Sequence, residues 1–132
     1  KFDYRKNDLP RDLIFLSASF KGKFKKKDIV KKEIEILKTK KDKAQPTQVK
    51  TGGSTFKNPI GQTDKKVWEL IKLSIPKNIS FGGATISEKH LNFFVNKNKA
   101  TFEDMKKLID FVKKNVKEKT GVNLDLEIEI IG

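Results

Sequence analysis

The chain has no cysteine, so disulfides, thiolate metal sites and thiol nucleophiles are excluded. Arginine is nearly missing as well: of 30 basic residues only Arg5 and Arg11 are arginine. Planar, bidentate readout of bases and phosphates favours arginine over lysine. The shortage therefore argues against a nucleic-acid partner, despite a net charge of +13. There is one histidine, His90, one tryptophan, Trp68, and one tyrosine, Tyr4. No apolar run approaches the roughly 18 to 20 residues that cross a bilayer, so no membrane partner is expected. No signal peptide reads from the start of the chain. The first residue is Lys1, not methionine, so an upstream segment is expected to be missing.

What remains is a lean, lysine-rich sequence of 132 residues, with hydrophobic and charged residues each at 36%. That length holds one ordinary domain, or one domain plus part of another. The lysines are spread over the whole chain alongside plentiful Asn and Ile, which reads as a solvated lysine surface. A basic nucleic-acid-binding module stays open as the alternative, to be tested by the salt dependence of binding.

The apolar run Leu13–Phe20 lies between Pro10 and Gly22 and reads as a buried strand. Ile29, Val30, Ile34 and Leu37 fall at helical spacing within residues 25–41. Residues 42–55 show no apolar period and read as a linker or a long functional loop. A second helix is expected over 64–73, with Val67, Trp68 and Ile71 on its core face and Asp64 near its start. Gly82-Gly83 marks a turn, and 91–96 reads as a strand. Thr101 and Asp104 form a capping box ahead of Met105, Leu108, Ile109, Val112 and Val116 at helical spacing, and Gly121 sits at the C-cap. Residues 122–130 alternate strictly and read as a strand, with Asp125, Glu127 and Glu129 on the face opposite the leucines and isoleucines. Together these define an α+β fold, a small mixed or antiparallel sheet packed with helices.

Chemistry concentrates in Gly52-Gly53-Ser54-Thr55-Phe56-Lys57-Asn58-Pro59. Two glycines permit close backbone approach to a ligand, while Lys57 and Asn58 suit phosphate or carboxylate oxygens. The spacing is not that of a P-loop. From these residues alone, an anion-binding loop and a polar turn ahead of a helix N-cap both remain open. His90 reads first as a hydrogen-bonded structural residue. Glu127 reads either as a functional group or as one of three carboxylates on a solvent face.

Residues 51–59, Thr-Gly-Gly-Ser-Thr-Phe-Lys-Asn-Pro, resemble the signature loop of the UDP-N-acetylenolpyruvoylglucosamine reductase (MurB) family. Residues 82–96 resemble that family's Gly-Gly-Ala-x-Val-Ser-x-x-His-x-Asn-Phe-x-x-Asn, and 124–132 resemble its closing Leu-x-x-Glu-Ile/Val-x-x-Ile-Gly. Ala100-Thr101 to Asp104 matches the helix start that follows, and Phe2-Asp3-Tyr4-Arg5 is similar to the family's Phe-Gly-Tyr-Arg. These five matches run in order over almost the whole chain.

The resemblance implies a MurB C-terminal substrate-binding domain over 44–132, preceded over 1–43 by the tail of an FAD-binding (PCMH-type) domain. It implies a monomeric cytoplasmic enzyme of peptidoglycan synthesis that reduces UDP-N-acetylglucosamine enolpyruvate to UDP-N-acetylmuramate, with NADPH reducing a bound FAD. Carried over by position, Ser54 would protonate the substrate carbon beside the carboxylate, Arg5 would stabilise the enolate, and Glu127 would complete that stabilisation or serve as an alternative acid. Tyr4, Lys57, Asn58 and His90 would contact substrate. A hydroxyl is a weak acid and donates only to a strongly basic carbon in a positive field, while a fixed guanidinium suits developing oxyanion charge. A nucleotide-sugar-binding domain without redox activity is a further alternative. No metal is implied, and the glycine-rich flavin loops are not in this chain, so it is expected to be inactive alone. The chain departs from the family at residues 73–78, at Glu129, where a basic residue is common, and at Asp3, where glycine is usual.

Overall fold

A computed structural model describes residues 1–131 apart from Arg5 and Arg11, with Phe2, Asp3 and Lys6 described by backbone alone. The chain divides into two compact units, Lys1–Glu33 and Ile34–Gly132.

In the first unit β1 (Phe2–Asp3) and β2 (Lys6–Asn7) pair antiparallel, Phe2 with Asn7 and Asp3 with Lys6. Tyr4 lies in the turn between them. Leu13–Phe20 is not the buried strand expected. It is irregular, and Leu13, Ile14, Phe15, Leu16 and Phe20 are all exposed. A strand needs a neighbour to satisfy its N–H and C=O groups, and among the described residues this run has no ladder. The expected helix is present as α1 (Lys27–Ala44), which contains the division between the units. Its apolar residues, Ile29, Val30, Ile34 and Leu37 among them, are exposed, and none of its described residues is buried.

The second unit holds β3 (Lys50–Ser54), α2 (Val67–Ser74), β4 (Ser80–Phe81), β5 (Ala84–Ile86), β6 (Phe93–Asn96) and α3 (Phe102–Thr120). The four strands form one antiparallel sheet in the order β3-β6-β5-β4. The α+β class expected from the sequence is the one observed, and its sheet is antiparallel throughout.

The helix α3 forms as its sequence dictates. Thr101 Oγ1 accepts the Asp104 N–H at 3.2 Å, and the Asp104 carboxylate accepts the Thr101 N–H at 3.0 Å. Two otherwise orphaned N–H groups are thereby satisfied. At the far end Gly121 adopts φ 73° and donates to Lys117 O at 2.9 Å, a left-handed cap. Leu108, Ile109, Val112 and Val116 are buried against Val67, Leu70 and Ile71 of α2 and Ala84 and Phe94 of the sheet. Each such side chain contributes about 1.5–3 kcal/mol by leaving water.

The Gly82-Gly83 turn joins β4 to β5 as expected. At Gly83 a Cβ would meet Asn98 O at 2.5 Å and Ala100 N at 2.7 Å. Glycine is the residue that admits the 98–100 backbone there.

Three expectations need correction. Residues 42–55 are not a loop: α1 runs to Ala44, and β3 occupies 50–54. The strand is hidden in the sequence because two of its five residues are glycine and it carries a bulge, so no alternation survives. Trp68 is not core but 42% exposed; Leu70 and Ser74 take the buried face with Val67 and Ile71. Asp64 does not start α2. The Val67 N–H is accepted by Asn58 Oδ1 at 3.2 Å, a cap supplied from nine residues upstream, and the Glu69 carboxylate accepts the Lys66 N–H at 2.7 Å.

The closing segment alternates in burial only over its first four residues and does not become a regular strand. Val122 and Leu124 are buried while Asn123 and Asp125 are exposed. Its one ladder contact is an antiparallel bridge between Leu126 and Phe56.

Candidate functional site

Ser54 is the last residue of β3. Thr51 pairs with Val95 and Ser54 with Phe93, three steps on β3 against two on β6. The extra residue is a bulge, and Gly53 sits within it at φ 87° with its N–H donated to Thr51 Oγ1 at 3.2 Å. Glycine adopts that φ without a Cβ penalty, so Gly53 accommodates the bulge just ahead of Ser54, which still pairs with Phe93. Ser54 is half-buried.

After Ser54 the chain leaves the sheet and is held from two sides. On one side, Asn92 O accepts the Thr55 N–H at 2.7 Å. The Asn92 carboxamide accepts the Phe56 N–H at 3.0 Å and donates to Phe56 O at 2.8 Å. On the other side, the closing segment donates the Glu127 N–H to Thr55 O at 2.9 Å and accepts the Lys57 N–H at Asp125 O at 2.9 Å. Phe56 is fully buried and meets Phe94 edge to face, with ring centroids 5.7 Å apart. A Cβ on Gly52 would lie 3.3 Å from Ile128 Cγ2, so β3 itself runs against the same closing segment.

Ser54, Lys57 and Glu127 are thereby brought to one edge of the sheet, all half-buried, with Glu127 on the segment that pairs beside Thr55. Asn58 follows directly, its carbonyl oxygen engaged with the start of α2. Tyr4 belongs to the first unit and is exposed, and Arg5 lies outside the described residues.

His90 lies two residues before Asn92. Its Nδ1 accepts the Asn92 N–H at 3.2 Å, and its ring packs edge-on to Phe93 at 4.8 Å. The proton of the neutral ring is thus on Nε2. His90 also borders an open cleft of about 730 Å³ between Trp68, Ile75, Ile79 and Ile86.

The residue missed from the sequence is Asn92. It stands in the motif over 82–96, yet nothing in its spacing distinguishes a buried backbone-pairing carboxamide from a polar surface position. Among the described residues no His, Asp or Glu cluster could hold a metal. Among the same residues no helix is long and apolar enough to cross a membrane.

Such a domain, a helix-backed antiparallel sheet with a serine, a lysine and a carboxylate near one bulged edge, is of the α+β class. The family described as UDP-N-acetylenolpyruvoylglucosamine reductase, C-terminal domain, matches residues 45–131. The chain is 67% identical over 130 residues to the UDP-N-acetylenolpyruvoylglucosamine reductase of Pelagibacter ubique (strain HTCC1062), covering 98% of this chain and 43% of the relative. It is 46% identical over 132 residues to that of Rickettsia akari (strain Hartford), and 42% over 131 residues to that of Rickettsia typhi (strain ATCC VR-144 / Wilmington). Each of those alignments covers 99% of this chain and 43% of the relative. The chain therefore belongs to the UDP-N-acetylenolpyruvoylglucosamine reductase family, and it spans about two-fifths of the length of these relatives.

Proposed function

We propose that this chain is the substrate-binding C-terminal part of an NADPH-dependent flavoenzyme. The reaction is reduction of UDP-N-acetylglucosamine enolpyruvate to UDP-N-acetylmuramate in cytoplasmic peptidoglycan synthesis. The observation that carries the reading is the bond from the Glu127 N–H to Thr55 O, which joins the Ser54 loop to the closing segment at one sheet edge. Two groups 73 residues apart in sequence, an acid-capable hydroxyl and a carboxylate, then belong to one locale.

In this reading residues 1–43 are the end of an FAD-binding domain and 44–132 the substrate domain. FAD and NADPH are held by protein outside this chain, and no residue here is assigned a contact to either. Reduced flavin supplies the hydride when bound. The chain's own residues do the rest. Lys57 and Asn58 bind anionic and carbonyl oxygens of the substrate, with Tyr4 and His90 as further contacts. Arg5 stabilises the enolate charge, Ser54 donates the proton to the carbon beside the carboxylate, and Glu127 supports or replaces it.

The test is a chimera that joins the N-terminal part of the Pelagibacter ubique relative to this chain. It should oxidise NADPH in the presence of the enolpyruvyl substrate. Ser54→Ala should retain NADPH-dependent bleaching of the flavin while product formation falls by about 100-fold or more. Undiminished product formation in that variant overturns the assignment of Ser54. A chimera that binds UDP sugars calorimetrically without oxidising NADPH overturns the redox reading.

A further inference from the structure

We propose that Asn92 is the positioning residue of Ser54, anchoring the proton-donor loop by standing in for a missing β-strand; the catalytic half of this inference rests on the function proposed above.

Regular pairing between β3 and β6 ends at Ser54 and Phe93. One residue further, the main chain offers only the Asn92 carbonyl, because residues 87–92 turn away. Phe93 N–H is returned to His90 O at 2.9 Å, and Ser87 N–H goes to Phe93 O at 2.9 Å. The Phe56 N–H and C=O would be left without a ladder partner beside their own fully buried phenyl ring. Asn92 fills the gap. Its carbonyl takes the Thr55 N–H, and its carboxamide pairs reciprocally with the N–H and C=O of Phe56. A carboxamide holds a donor and an acceptor in that spacing without charge at neutral pH.

Asn92 is itself fixed. It is 6% exposed, and its N–H is donated to His90 Nδ1 at 3.2 Å. Ser54 is thus held on one side by its pairing with Phe93 and on the other by the Asn92 anchor one residue on. The glycine bulge at Gly53 immediately precedes it. Glu127 is tied to the same anchor through Thr55, whose N–H and C=O join Asn92 to the Glu127 N–H.

A positioning role separates from a merely structural one by what changes. Two variants are compared, Asn92→Ala, which removes both side-chain bonds, and Asn92→Asp. The carboxylate of Asn92→Asp keeps the acceptor and loses the donor; protonated, it regains a donor and mimics the carboxamide. In the chimera, both should lower kcat by about 10- to 100-fold through displacement of the donor hydroxyl, with KM for the UDP sugar within about twofold of the parent. The solvent deuterium isotope effect on kcat should rise as proton delivery becomes limiting. The ratio of Asn92→Asp to parent kcat should climb as pH falls. In the 132-residue chain, Asn92→Ala should speed hydrogen exchange at the Phe56 amide and leave the Leu108 amide protected.

A rise in KM with unchanged kcat overturns the proposal. So does a loss of activity that merely tracks the folded fraction, or failure of both variants to fold. Unchanged protection at Phe56 overturns the anchor itself. If the unsubstituted chimera makes no product, the reductase reading fails, and exchange at Phe56 still decides whether Asn92 anchors the loop.

Discussion

Carboxamides take the place of neighbouring strands at several points in this domain. Besides Asn92 with Phe56, Asn96 pairs reciprocally with the backbone of Ala100, at 2.8 Å and 3.0 Å, and so closes the turn into α3. Gln62 does the same with Asn123, at 2.9 Å and 3.0 Å, and ties the 59–62 turn to the start of the closing segment. Each replaces a pair of ladder bonds where the chain has run out of regular neighbour. Among the described residues, one buried polar side chain lacks such a partner. Ser74, 1% exposed at the end of α2, buries an Oγ that finds no hydrogen bond among the described residues. An unpaired buried hydroxyl costs about 1–3 kcal/mol. Ser74→Ala should therefore raise stability by about 1 kcal/mol, read as a higher urea midpoint at unchanged m-value. A lower midpoint would mean that the hydroxyl is paired in solution.

At the scale of elements, α3 is legible in the sequence because every local signal in it agrees: cap, apolar period, left-handed glycine. Its capping box also makes a pH prediction. Hydrogen bonds from Thr101, first from its N–H and then through its hydroxyl, hold the Asp104 carboxyl below the ordinary carboxylate value, with Lys107 adding to the effect. A carboxyl whose pKa is lower folded than unfolded adds stability that is full above the unfolded pKa of about 4. That stability is lost as pH falls through the folded pKa. Thermal melts should show an acid-side loss below about pH 4 that is smaller in Asp104→Asn. Thr101→Ala should cost about 1 kcal/mol at neutral pH through the lost cap. The β4–β5 hairpin depends on a different contact. Gly83→Ala would drive a methyl group into the Asn98–Ala100 main chain, which cannot yield as a side chain can. Its circular dichroism should show loss of cooperative folding, and a native-like melt would contradict the close approach.

β3, the closing segment and the run over 13–20 depart from their sequence patterns for one reason. A strand is defined by its neighbour: β3 pairs with β6 through a bulge, the closing segment makes a single bridge, and the 13–20 run has no ladder among the described residues. The 13–20 run is as apolar as any core strand, yet its leucines and phenylalanines are exposed in the first unit. The closing segment alternates perfectly but makes only the bridge at Leu126, because it faces the irregular 55–57 stretch. For the site, the motif over 51–59 marks Ser54 without its bulge, and Glu127 stands 73 residues away with nothing in its own alternation to favour it over Asp125 or Glu129. In the structure the closing segment meets the Ser54 loop twice, through the Glu127 N–H to Thr55 O and through Asp125 O to the Lys57 N–H.

At the scale of the whole molecule, burial is unevenly distributed. Among the described residues, the buried core, from Phe56 to Leu124, lies in the second unit. That core joins α2, α3, the sheet, Phe56 and the closing segment into one cluster, and Thr55-Phe56 draws its hydrogen bonds from residues 92 and 127 of the same unit. A domain with one closed core and its own hydrogen-bond partners meets the conditions for all-or-none unfolding. Residues 34–132 expressed alone should therefore melt in a single calorimetric transition with equal van't Hoff and calorimetric enthalpies. Leu108→Ala, at a position with no exposed surface, should lower that stability by about 2–5 kcal/mol. In a domain of this size each kcal/mol moves Tm by about 4–8 °C, so the shift is large enough to read without ambiguity. A broad, non-cooperative transition in the unsubstituted fragment would show that the core of the second unit does not close by itself.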